Sequence, residues 1–145
     1  MTDHIVQRPH LTLAGAQAAL SAALGHAGVL EVAVVIIVTD LAGNLLTSAR
    51  MDGAPLLSVD VARKKAWTVC AFGGRPTDQW WRMVENDPAL LHGLAPKVDD
   101  LLPVGGGAPV IIGGMLAGAV GVSGATSAQD QEIADAAAGA VDSGI

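Results

Sequence analysis

Cysteine, aromatic residues and charge are all scarce in this chain of 145 residues. Its single cysteine, Cys70, excludes an intrachain disulfide and a metal site built from several cysteines. We interpret Cys70 as an inert buried thiol. The chain has four histidines but no two of them at the spacing of metal ligands, so no metal site is predicted.

Positive charge is especially rare. The eight Lys and Arg residues are outnumbered by fourteen Asp and Glu, which gives a formal net charge of −6. This balance argues against nucleic acid and against an acidic membrane surface, because both partners require a basic patch. Charged residues make up only 15% of the chain, against about 25% in an average soluble domain. A surface this poor in charge predicts a homo-oligomer in which other subunits cover part of it.

Long apolar runs are also lacking. The longest, near Val32–Val38, is too short to cross a membrane. The N-terminal MTDHIVQRPH has no apolar core and is not a signal peptide, so we expect a cytoplasmic protein. The length suits one domain, and we predict a flexible arm over residues 1–10 followed by a single domain over residues 11–145.

Hydrophobic periodicity and turn residues predict an α+β fold. Thr12 is expected to cap a helix over Leu13–Ala27, Ser58 a helix that ends near Phe72, and Thr77 a shorter one. Consecutive hairpins indicate a mainly antiparallel sheet of about five strands flanked by helices, in the order α-β-β-α-α-(β)-β-β-α. The predicted strands cover Val32–Thr39, Leu45–Met51, Pro109–Ile112 and Leu116–Ser123, with a further short edge strand within His92–Pro103.

The last predicted strand has one nearly bare face. That face carries only Ala117, Ala119, Gly121 and Ser123. Side chains this small predict that another backbone, a helix or a ligand is pressed against the strand.

A helix start follows this strand at once, with Thr126–Gln129 or Ser127–Asp130 as its capping box. Helix N-termini present free N–H groups that receive anions. The corner at Ser123, Gly124 and Thr126 therefore predicts a site for a small anion, and plain capping and turn formation is the alternative.

The chain resembles the GlcG/HbpS-like family of small heme-binding proteins. The domain of that family also forms the C-terminal part of PduO-type cobalamin adenosyltransferases. The resemblance rests on LTLAGAQAAL, VVIIVTDLAGNLLTSARMDGAP, SVDVARKKAWTVCAFG, GGGAPVII and GAVGVSGATSAQDQEIADAA. It implies an oligomeric α/β sandwich with a central antiparallel sheet, and heme as a candidate cofactor. The adenosyltransferase domain is absent from the chain, so that activity does not follow.

Basic side chains complete the predicted site. Arg50, at a strand end, either clamps a carboxylate or pairs with Asp52. Lys65 adjoins the buried stripe of its helix, where it acts as acid, base or anion partner, or snorkels to a carboxylate. Met51 and Gly106 are expected to line the same site. The GGG stretch that holds Gly106 lacks the Lys-Ser/Thr of a phosphate-binding loop, so nucleotide binding is not predicted.

The residues leave three functions open. The first is a protein that binds heme or another carboxylate-bearing ligand. The second is a cofactor-free isomerase or lyase of a small hydroxy- or keto-acid, with Lys65 or Asp52 as base and Arg50 as anchor. The third is a structural partner of a neighbouring enzyme. The scarcity of aromatic residues counts against a heme cavity, whereas the resemblance favours heme. We interpret His26 and His92 as structural or surface residues, with iron ligation as the alternative.

Overall fold

The structure is a computed structural model that describes residues 3–142. The helices are α1 Leu13–Leu30, α2 Leu57–Ala71, α3 Thr77–Glu85 and α4 Ser127–Asp142. The strands are β1 Val35–Asp40, β2 Leu45–Arg50, β3 Gly107–Ile112 and β4 Met115–Ser123. One turn of π-helix, Ala89–Leu94, and one of 3₁₀-helix, Ala95–Lys97, follow α3.

The four strands form one antiparallel sheet in the order β2-β1-β4-β3. Helices α1 and α4 pack together on one face, and α2 packs on the other. Strand β1 is central and its first five residues are buried, as its β-branched sequence predicts. The fold therefore confirms the antiparallel α+β prediction and places the most apolar strand in the middle.

The nearly bare face of β4 is covered by α2. A Cβ atom built on Gly121 would clash with the carbonyl oxygen of Ala62 and would lie 2.9 Å from the amide nitrogen of Ala66. Helix α2 can lie this close to the strand only because Gly121 has no side chain. Of the three occupants predicted for this face, the structure shows a helix.

Two predicted helix caps are wrong, and one is confirmed. Thr12 caps α1, because its hydroxyl accepts a hydrogen bond from the Gly15 amide at 3.1 Å. Ser58 lies inside α2 and makes no capping bond. Thr77 is the first residue of α3, and its buried hydroxyl instead accepts a hydrogen bond from the Gly107 amide at 2.7 Å.

No strand forms within residues 92–103, so the sheet has four strands rather than five. Pro96 lies in the 3₁₀ turn, and Asp100 adopts a left-handed backbone conformation with φ of 64°. The 3₁₀ turn and the left-handed conformation of Asp100 both interrupt the extended backbone that an edge strand requires.

Helix α1 is longer than predicted and ends at Leu30 instead of Ala27. Within residues 3–142 it is the only helix long and apolar enough to span a membrane. Its alanine stripe, which includes Ala16, Ala19 and Ala23, is fully buried against α4 and the sheet. One stripe of α1 therefore belongs to the core, whereas Leu13 and Val29 on the same helix are exposed.

Candidate functional site

The predicted anion corner lies between β4 and α4. The Gln129 amide donates to the Thr126 hydroxyl at 3.1 Å, and the Gln129 side-chain oxygen accepts from the Thr126 amide at 3.3 Å. Thr126 and Gln129 therefore form the capping box, and the alternative pair Ser127–Asp130 does not.

The corner is occupied by the protein's own carboxylate. Asp130 is buried, and its Oδ1 accepts a hydrogen bond from the Ala125 amide at 3.0 Å. Its Oδ2 accepts from Lys65 Nζ at 3.0 Å, and the same ammonium donates to the Val122 carbonyl at 2.9 Å. Lys65 is only 3% exposed, and this burial lowers the pKa of its ammonium while the charge of Asp130 opposes the shift.

The small residues of the corner make room for this pair and for the chain itself. A Cβ atom on Gly106 would lie 2.7 Å from Lys65 Nζ, and one on Gly124 would lie 2.7 Å from the Ala33 carbonyl oxygen. Ser123 is buried as well. Of the alternatives for Lys65, the structure therefore shows pairing with a carboxylate, although the lysine is buried and does not snorkel to solvent.

Arg50 does not share a cavity with Lys65. It is exposed at the end of β2, where its guanidinium donates to the Ala54 carbonyl at 3.2 Å. The predicted pair between Arg50 and Asp52 does not form within the described chain, and Asp52 is exposed. Met51 packs against the core on the α1 side of the sheet, so it lies on the opposite face from Arg50.

An open groove lies between α2 and β2, and we call it the α2–β2 groove. Its volume is about 450 Å³. It exists because α2 packs over β4 and β1, which leaves the same face of the edge strand β2 uncovered. The groove is lined by Ile37, Leu45, Ser48, Leu56, Val59, Asp60 and Arg63.

The lining of this groove is mainly apolar and accessible. Leu45 is 62% exposed, Leu56 76% and Val59 37%. Large apolar side chains that lie together in solvent indicate a binding surface. Arg50 lies two residues beyond Ser48 on the same strand, so its side chain projects from the same face of the sheet as the groove.

Arg63 places a second cation at the groove. It donates to Asp60 at 2.9 Å and to Asp100 at 3.0 Å. The hydrogen bonds of Arg63 hold the pKa of both carboxyls below their ordinary value, with Lys64 also acting on Asp60. The sequence prediction missed this groove, and its one local signal was the apolar pair Leu56-Leu57 in front of a helix.

Candidate iron ligands lie elsewhere in the described chain. His26 contacts Glu132 at 2.6 Å between α1 and α4, and His92 is exposed on the π-helical turn. Cys70 lies beside Thr39, and burial raises the pKa of its thiol, as expected of an inert cysteine. None of these side chains lines the α2–β2 groove.

Comparison with known proteins assigns the family. The model of the family described as "Haem degrading protein HbpS-like" matches residues 11–139. The chain belongs to the HbpS-like family. This HbpS-like chain is similar in sequence and fold to two solved structures. Klebsiella pneumoniae protein ORFY is 36% identical, covers 97% of both chains and superposes with a TM-score of 0.89.

The second solved structure is a PduOC:heme complex. It is 32% identical to the HbpS-like chain over 90% of this chain and 94% of that one, with a TM-score of 0.81. Among curated proteins, the corrinoid adenosyltransferase PduO of Salmonella typhimurium is 34% identical over 124 residues. The HbpS-like chain spans only 36% of the length of that enzyme. The resemblance predicted from sequence is thereby confirmed at the level of the family.

Proposed function

We propose that this chain is a binding protein for a flat, apolar, carboxylate-bearing ligand of the porphyrin class, with heme as the first candidate. The observation that carries the proposal is the apolar α2–β2 groove, which has arginines at its margin. The heme complex of the similar PduOC chain supports the ligand class. An apolar pocket with a few placed cations is the usual design for such ligands.

The groove fits the periphery of heme better than its iron. Leu45, Leu56 and Val59 offer apolar contact to a macrocycle. Arg50 offers its guanidinium to a propionate, whereas Arg63 is already paired with Asp60 and Asp100. The lining contains no histidine, cysteine or methionine, which are the side chains that most often bind heme iron. We therefore infer that the porphyrin is held without an iron ligand from this groove.

A titration with two porphyrins tests the proposal. Hemin and metal-free protoporphyrin IX are each titrated into the purified protein, followed by the Soret band and by porphyrin fluorescence. We expect saturable binding of one porphyrin per groove, competition between the two ligands and dissociation constants within a few-fold of each other. His26→Ala and His92→Ala should leave both constants unchanged.

Groove variants give the sharper readout. Val59→Asp places a charge on the apolar wall and should abolish binding, whereas Val29→Asp, at a 77% exposed site on α1, should not. Arg50→Ala should weaken both ligands by about 10- to 150-fold, because a charge-assisted hydrogen bond contributes roughly 1.5–3 kcal/mol. Binding of hemin alone that is lost in a histidine variant would overturn the proposal.

Assembly and location complete the proposed function. We propose a cytoplasmic homo-oligomer, supported by the low charge content and by large apolar side chains on the surface such as Val29 and Leu57. The proton-transfer alternative has less support, because the Lys65 amine is held by Asp130 and Val122 away from the open grooves. No observation favours a purely structural partner over a binding protein.

A further inference from the structure

A second groove, distinct from the α2–β2 groove, lies between α3 and the first turns of α4. We call it the α3–α4 groove. Its volume is about 440 Å³, and it shares no lining residue with the α2–β2 groove. Trp81 and Asp78 line it from α3, Ser127 and Asp135 from α4, and Gly105 lies in its wall ahead of β3.

One wall of this groove is fixed by a buried amide. Gln131 is 5% exposed, and its side-chain oxygen accepts a hydrogen bond from the Gly106 amide at 2.7 Å. Its nitrogen donates to the Gly107 carbonyl and to Asp135 Oδ1, both at 2.9 Å. Both N–H donors of Gln131 are thus used, and one of them holds an oxygen of Asp135 in place. The second oxygen of Asp135 makes no hydrogen bond within the described residues.

Two of the three carboxylates that line the groove have basic neighbours. Asp78 contacts Arg82 at 3.4 Å, and Glu132 contacts His26 at 2.6 Å. Asp135 has no such partner among the described residues. Partial desolvation raises the pKa of the Asp135 carboxyl. The hydrogen bond from Gln131 opposes this shift, and the negative charge of Asp78 adds to it. The groove therefore offers several carboxylate oxygens as hydrogen-bond acceptors.

An aromatic side chain lines the same groove. Trp81 is 40% exposed and lines both this groove and an adjoining one of about 330 Å³, together with Gly105 and Ser127. A half-exposed indole packs its ring face against apolar C–H groups. A ligand that suits the whole groove has C–H groups on one side and several hydroxyl donors on the other, since acceptors dominate the lining.

We infer that the α3–α4 groove binds a small uncharged polyhydroxylated molecule, stacked on Trp81 and hydrogen-bonded to Asp135 and Asp78. The Arg82 guanidinium supplies hydrogen-bond donors to the ligand, and the Ser127 hydroxyl can donate or accept. The exposed Arg82 guanidinium also disfavours a cationic ligand at the same place.

The inference is tested with sorbitol and methyl α-glucoside as probes. The readout is the nuclear magnetic resonance shift of the Trp81 indole N–H in the full chain, with choline as the cationic comparison. We expect saturable shifts with at least one of the two neutral probes, at dissociation constants on the order of millimolar for ligands of this size. Choline should give no saturable shift.

Variants locate the binding. Because Trp81→Ala removes the reporter, binding to that variant is measured by saturation-transfer signals of the probe, and it should be lost. Met83→Ala, on the same helix and 41% exposed, should bind normally. Asp135→Asn should weaken binding about tenfold, whereas Asp99→Asn, outside the groove, should not. Saturable binding of choline alone, binding that survives Trp81→Ala, or no binding of either neutral probe would overturn the inference.

Discussion

The buried pair of Lys65 and Asp130 should make the fold sensitive to a single substitution. Lys65→Met keeps the length and much of the volume of the side chain but removes the ammonium. Asp130 would then lose its charged partner while its side chain stays only 3% exposed. The Val122 carbonyl would lose its donor at the same time. The variant therefore tests how strongly a buried carboxylate depends on its counter-ion.

The expected cost follows from burial of an unpaired charge. Removing one partner of a buried ion pair costs roughly 3–5 kcal/mol, because the remaining charge is desolvated without compensation. A domain of this size has a total free energy of unfolding of about 5–15 kcal/mol. With a urea m-value of about 2 kcal/mol/M, the midpoint of unfolding should fall by about 2 M. The half-buried neighbour Lys64, paired with Asp60 near the surface, gives a control, and Lys64→Met should change the free energy by less than about 1 kcal/mol.

A double variant separates the charge from the packing. In Lys65→Met with Asp130→Asn, the buried charge is gone and the amide oxygen can still accept the hydrogen bond of the Ala125 amide. We expect this protein to regain at least half of the stability that Lys65→Met loses. Urea unfolding followed by circular dichroism measures all four proteins. A loss below about 1 kcal/mol in Lys65→Met, or a double variant no more stable than the single one, would refute the charge-burial explanation.

Three further substitutions are predicted from local geometry. Gly121→Ala should cost about 3 kcal/mol or more, because its Cβ would clash with Ala62 and push α2 from the sheet. Gly139→Ala meets open space in a helix and should stabilise by about 0.5–1 kcal/mol, and thermal unfolding of both checks the contrast. Arg63 lowers the folded-state pKa of Asp100, which therefore adds stability above its ordinary pKa of 3.8 and loses it as the pH falls through the lowered value. Arg63→Gln should make the free energy of unfolding fall less steeply between pH 5 and pH 2, and an unchanged slope would contradict this.

Local sequence signals predicted the framework of the fold because they act over a few residues. The β-branched run of β1, the turn after it and the hairpin partner β2 follow directly from period and turn chemistry. The Thr126–Gln129 capping box needed only a spacing of three residues. Ser58 and Thr77 show the limit. Helix α2 begins before Ser58, at Leu57, and the Thr77 hydroxyl is taken by the Gly107 amide.

The arrangement of the site depends on contacts between distant residues, which no local signal carries. Asp130 lies 65 positions after Lys65, and the sequence does not show that its carboxylate would take the anion place at the β4–α4 corner. The α2–β2 groove is likewise a consequence of tertiary packing, because it depends on how far α2 extends across the sheet. Exposure of Leu56 and Val59 can be read only once that packing is known.

The strand order explains why both grooves lie where they do. The central strands β1 and β4 are sealed on one face by α1 and α4 and on the other by α2, which lies against Gly121. The Lys65–Asp130 pair closes the end of β4 next to α4. The two grooves lie at the margins, where β2 extends beyond α2 and where Gly105 leads into the outer strand β3 between α3 and α4. The two margins differ in chemistry, since an apolar wall with arginines forms one and an acceptor-rich wall with Trp81 forms the other.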